Sequence, residues 1–164
     1  IFGVIYVTLP VLAGVGAAWS SRRLAGGGSL RVVLARYAPS VVPLGFAIWF
    51  GHYWFHFASG ALTIVPVLQS FLIDHGVTLL GAEPNWRLGA ILPADALFLL
   101  ELGSVLIGLV ASLAVLRRIA DNTHPDGRSA TRAMAPWLAL LAMIAVLAAV
   151  LFSLPMEMRG MMVG

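Results

Sequence analysis

His52 and His56 stand one helical turn apart in Gly51-His52-Tyr53-Trp54-Phe55-His56-Phe57, a spacing that points two imidazoles to the same side of a helix. Such a pair can chelate one metal ion, or give and take protons near neutral pH. The two cannot both ligate one haem, because axial ligands approach from opposite faces of the macrocycle; a haem b here needs a second ligand, with His75 or a tail methionine as the options. Glu101 is a second ionisable group in an apolar run. Oxidation of a quinol releases protons together with electrons, and a carboxyl beside an imidazole can receive them. His52, His56 and Glu101 are therefore the candidate set for a quinone, or for a haem. Thioether sulfur suits Cu(I), so His52, His56, His75, Met156 and Met158 form a candidate copper set. Each feature also has a plain alternative: the histidines can bond carbonyls or lipid headgroups in an aromatic belt with Tyr53 and Trp54, and Glu101 can tie two helices together.

The chain that must position these groups is 60% hydrophobic and only 10% charged, with a mean hydropathy of +0.96. A soluble domain carries about 25% charged residues. The composition predicts an all-α, polytopic membrane protein in contact with membrane lipid. The net charge of +3 comes from ten arginines and no lysine. Because the arginines fall between apolar runs, they speak for membrane orientation and not for nucleic acid. With no cysteine, the chain offers neither a disulfide nor thiolate ligands for an iron–sulfur cluster; a cluster would belong to a partner. The sequence opens at Ile1 directly in an apolar run, without the charged region that starts a signal peptide, which reads as part of a longer polypeptide.

A membrane-spanning helix takes about 20 apolar residues, and four segments qualify, at about 1–20, 38–58, 95–116 and 134–154. Eight of the ten arginines lie in the two connections 21–37 and 117–133. Positive charge marks the cytoplasmic side, so in a bacterial inner membrane both connections face the cytoplasm, and the 74–95 connection and the C-terminus face outward. Residues 38–73 would make a helix about 54 Å long, too long for one crossing. Gly60 and Pro66 are the expected break, and about 60–73 is expected to be an interfacial or re-entrant segment with Ser59, Thr63, Pro66, Ser70 and Asp74 along one side. Gly45, Trp49, His52 and His56 share a helical face expected to look into the bundle. His52 and His56 lie about 24 and 30 Å from Arg36 along that helix, near the outer interface. The third span is expected to begin near Pro93 with Asp95 as a cap, placing Glu101 about 9 Å inside the same boundary, on a face with Ser104, Gly108 and Ser112. Small-residue stripes, including Ala135, Ala139, Ala142 and Ala149, suggest tight helix contacts, and Trp86 is expected to anchor the outer connection at the interface.

His52-Tyr53-Trp54-Phe55-His56-Phe57, Thr63-Ile64-Val65-Pro66-Val67-Leu68-Gln69-Ser70, Glu101-Leu102-Gly103 and Pro155-Met156-Glu157-Met158-Arg159-Gly160 together resemble the C-terminal membrane region of polyferredoxin-type electron-transfer proteins. The resemblance runs from about residue 38 onward. It implies a membrane module of a bacterial respiratory or other redox complex, a non-catalytic or electron-transfer subunit that docks an iron–sulfur or cytochrome protein or lines a quinone site. No cluster ligand carries over, since the chain has no cysteine. Two other functions stay open: a purely structural membrane anchor, and copper binding on the outer side.

Overall fold

A computed structural model describes residues 2–26 and 28–154. It is all-helical, and no strand occurs among the described residues. In chain order the helices are α1 (Phe2–Ala25), α2 (Leu30–Tyr37), α3 (Val42–Gly60), α4 (Ile64–Asp74), α5 (Ala94–Thr123) and α6 (Gly127–Ser153), with short 3-10 turns at Ala38–Val41 and Trp86–Gly89. Among the described residues three helical runs are long and apolar enough to cross a membrane: Leu30–Asp74, Ala96–Thr123 and Gly127–Ser153. Large apolar side chains such as Leu12, Phe46, Ile107 and Val146 are mostly exposed, as expected where the surrounding medium is hydrocarbon. The chain is a membrane protein of helical class.

Both arginine-bearing connections are more helical than expected. After α1, Gly26 takes φ +75° and donates its N–H to the Arg22 carbonyl at 2.9 Å, the left-handed C-terminal cap that glycine permits. Ser29 then caps α2, its hydroxyl accepting from Val32 N–H, so the second half of the expected 21–37 loop is a helix. The 117–133 connection shrinks to His124, Pro125 and Asp126. Arg117 pairs with Asp121 one turn on, at 2.8 Å, as α5 continues, and the Asp126 carboxylate caps α6 by accepting from Ser129 N–H at 2.7 Å. That hydrogen bond holds the Asp126 carboxyl below its ordinary pKa. The long second run breaks at Ala61–Thr63, where Thr63 N–H returns to the Gly60 carbonyl. Pro66 is not the break: it sits in the first turn of α4, where its missing N–H costs nothing. Asp95 is likewise the second residue of α5 and not its cap.

The helices divide into two units, one made of residues up to 48 together with those from 105 onward, the other of residues 49–104. In the first, α6 buries Ala130, Ala133, Ala145 and Ala148 around Trp137 and Leu141. The expected stripe was one position off: Ala135, Ala139 and Ala142 are exposed and Ala149 half-buried. Ala17, Ala18 and Ser21 of α1 are buried, and the Ser21 hydroxyl donates to the Ala133 carbonyl at 2.8 Å. Tyr37 stacks on Trp137 with ring centroids 5.7 Å apart.

α5 approaches α3 through Gly108. A Cβ there would collide with the Ala47 side chain and would lie 3.1 Å from both Leu44 Cα and the Pro43 carbonyl. One turn further along α5, the buried Ser112 hydroxyl accepts the Leu44 N–H at 2.9 Å. The nearest obstruction is the Ala47 methyl group, which has no rotamer to move to, and backbone stands beside it. Gly108→Val should therefore destabilise the fold by at least the usual cost of overpacking, about 1–3 kcal/mol, read as a fall in the melting temperature in detergent. Ile107→Val on the exposed side of the same helix should leave the melting temperature unchanged.

Candidate functional site

The sequence-derived residues His52, His56, His75 and Glu101 all belong to the unit of residues 49–104. Within it the entry to α5 is tied to the end of α3, because Ile91 N–H donates to the Ala58 carbonyl at 2.7 Å. His52 lies six residues, about 9 Å, back from Ala58, and Glu101 lies seven residues, about 10 Å, beyond Ala94. Both counts are helical rises along separate helices.

Their exposures differ. Glu101 is 1% exposed, in line with Leu97 and Val105 on the buried face of α5. On α3 the buried positions are Leu44, Ala47, Gly51, Phe55 and Ala58. Gly45, Trp49, His52 and His56 are exposed, so the stripe expected to look inward looks out. The small residues that α3 turns inward are Ala47, Gly51 and Ala58, and Gly45 is not among them. The outward face is aromatic: Trp49 and Tyr53 lie with ring centroids 4.8 Å apart, Phe57 is exposed alongside, and the His52 and His56 rings meet edge-on at 4.6 Å. Two imidazoles beside a Trp–Tyr surface suit a planar, hydrogen-bonding headgroup such as a quinone: the rings offer faces for stacking and the imidazoles offer donors or acceptors.

His75 caps the C-terminus of α4, its Nδ1 donating to the Phe71 carbonyl at 2.8 Å, which leaves Nε2 as its available ligand atom. Among the described residues no group of three or more His, Asp or Glu side chains gathers as a metal site. Met156 and Met158, the soft ligands of the copper set, lie outside the described residues.

One residue of this unit escaped the sequence reading. Gln69 is buried, and its carboxamide joins three points of the connection that follows α4: Nε2 donates to the carbonyls of Leu80 and Glu83, at 2.5 and 2.9 Å, and Oε1 accepts Asn85 N–H at 2.9 Å. Gly81, at φ +114°, passes so close that a Cβ would lie 3.0 Å from Gln69 Nε2. Leu62 N–H reaches the Gly89 carbonyl, and a Cβ on Gly89 would press on Thr63. Trp86 is exposed on the 3-10 turn between these anchors. α4 thus turns Ile64, Val67, Leu68 and Phe71 outward and its carboxamide inward; of the side expected to be polar, Thr63 and Asp74 are exposed and Pro66 is buried. A lone carboxamide between Leu68 and Phe71 was the available signal, since a polar group in apolar surroundings must find partners.

A groove of about 750 Å³ runs in the other unit between α1, α2 and α6, lined by apolar residues including Pro10, Leu34, Trp137 and Leu147. No family model, curated protein or solved structure matches the chain.

Gln69→Leu removes all three hydrogen bonds at nearly constant volume. Amide hydrogen exchange or limited proteolysis should show residues 80–91 losing protection by at least tenfold, about 1.4 kcal/mol, while α6 keeps its protection. Unchanged exchange across 80–91 would show that the clamp contributes nothing.

Proposed function

We propose that this chain is a membrane-embedded module of a bacterial redox complex that presents a quinone site on the outward face of α3, beside a docking surface for an iron–sulfur or cytochrome partner. The observation that carries this proposal is that one unit holds both a carboxyl that is 1% exposed and two surface imidazoles on an aromatic face. Placing an ionisable group at membrane depth costs about 3 kcal/mol. A structural contact alone could be made by a serine, as Ser112 does for Leu44 N–H. Glu101 would hold or pass the proton, and His52 and His56 would bond the quinone oxygens. The resemblance to polyferredoxin-type proteins supports a redox setting and leaves the clusters to the partner.

The membrane arrangement belongs to the same proposal. α1, 24 residues or about 36 Å long, supplies a fourth span in addition to the three long apolar runs. Arg22, Arg23, Arg31 and Arg36 near the α1–α2 junction, with Arg117, Arg118, Arg128 and Arg132 around the α5–α6 junction, set those ends on the cytoplasmic side of the inner membrane. The 75–93 connection and the C-terminus then face outward. A purely structural anchor is the second reading, favoured by the exposed aromatics of α3, which suit burial against another subunit.

Because the chain has no cysteine, single cysteines report orientation without background. Cysteine at Arg31 or Arg128 should react with an impermeant maleimide only in inverted vesicles, and cysteine at Ala82 only in intact spheroplasts; labelling of all three from one side would discard the four-span arrangement. His52→Ala and Glu101→Gln should each lower quinol-dependent electron transfer by about a hundredfold, the scale of a lost proton acceptor, and weaken quinone binding while the complex still assembles. Unchanged turnover and quinone binding would rule out the quinone site, and loss of assembly with normal turnover in the surviving complex would establish the anchor.

A further inference from the structure

Eight arginines face only two acids, Asp121 and Asp126, within residues 21–37 and 117–133. In that part of the molecule a pocket of about 400 Å³ opens between Arg36, near the end of α2, and Ile119, Asn122 and Thr123, in the last turns of α5. We propose that this pocket binds the phosphate of an anionic phospholipid. Arg36 makes no ion pair or hydrogen bond among the described residues, so its five N–H donors are available for the two-pronged contact that guanidinium makes with phosphate. The Asn122 carboxamide brings two further donors. The Thr123 hydroxyl already donates to the Ile119 carbonyl at 2.6 Å and serves as wall. Asp121 is the acid closest in sequence, and its charge is taken up by Arg117 at 2.8 Å, which removes the carboxylate that would repel an anion. Arg118 lies one turn before Asn122 on the same side of α5 and adds a second positive charge.

The ligand is a lipid because of where the pocket lies and what continues from it. Asn122 and Thr123 close the apolar run Ala96–Thr123, the level at which lipid phosphates sit. Back along α5 from Asn122 and Arg118, the residues Val115, Ala111 and Ile107 follow at spacings of three and four, all exposed or half-exposed. They form an apolar track for an acyl chain beneath a charged head. Basic pockets between membrane helices take anionic headgroups in this way.

The test uses the delipidated full chain in detergent, titrated with phosphatidylglycerol and followed by native mass spectrometry. One phosphatidylglycerol should bind more tightly than any further copy, and Arg36→Gln should weaken it about fivefold, the effect of one arginine near a charged headgroup. Asn122→Leu should weaken it too. Arg128→Gln, which is not part of the pocket lining, should have the smaller effect, and circular dichroism checks that each variant folds. Equal binding by the wild type and Arg36→Gln would overturn the proposal. So would equal affinity for phosphatidylcholine, or displacement of the lipid by millimolar inorganic phosphate, which would make the pocket a site for free phosphate.

Discussion

A hydrogen bond left unmade in hydrocarbon costs several kcal/mol, and that cost governs where this chain puts its polar side chains. The Ser21 hydroxyl reaches across from α1 to the Ala133 carbonyl, the Ser112 hydroxyl receives the Leu44 N–H, and the Gln69 carboxamide collects three backbone partners. Each bond needs a close approach, and small residues provide it: Ala17 and Ala18 beside Ser21, Gly108 one turn before Ser112, and Gly81 against Gln69. Among the described residues the exceptions are the Tyr37 hydroxyl and the indole N–H groups of Trp54 and Trp137, buried without a hydrogen-bond partner there. For Tyr37 and Trp137 the compensation is packing, since the two rings stack and both are almost fully buried.

The candidate site follows from the same economy. α3 spends its small residues, Ala47, Gly51 and Ala58, on its buried side, and this leaves the outward side to the large rings of Phe46, Trp49, Tyr53 and Phe57 and to the two imidazoles. A cofactor or partner meeting the histidines comes from outside the chain and not from within a closed bundle. Glu101 lies on the buried face of α5. The ends of these two helices are joined by the Ile91–Ala58 hydrogen bond.

Helical class and three long apolar runs were legible in the sequence, because they depend on composition and on local helical pattern. The face that each helix buries was not. Gly45 and the alanines at 135, 139 and 142 belong to small-residue stripes as regular as those that pack, and periodicity alone cannot choose between two such stripes when lipid accepts apolar side chains as readily as a neighbouring helix does. Gln69 was missed because its partners are backbone groups 11 to 16 residues away, which no side-chain pattern records.

The amino-acid sequence by itself determined that this is a helical membrane chain, with positive charge gathered at the ends of its helices and two imidazoles one turn apart. Those properties come from residue chemistry and local geometry, which need no knowledge of a fold. Only the tertiary structure decided that α3 shows its histidines outward, that Glu101 is enclosed, that the residues after Arg117 and Ser29 continue as helix, and that Gln69 clamps the connection after α4. The physical reason is that these outcomes are set by which backbones come close enough to exclude lipid and to share hydrogen bonds. That competition is settled among all the helices at once and not within any one of them.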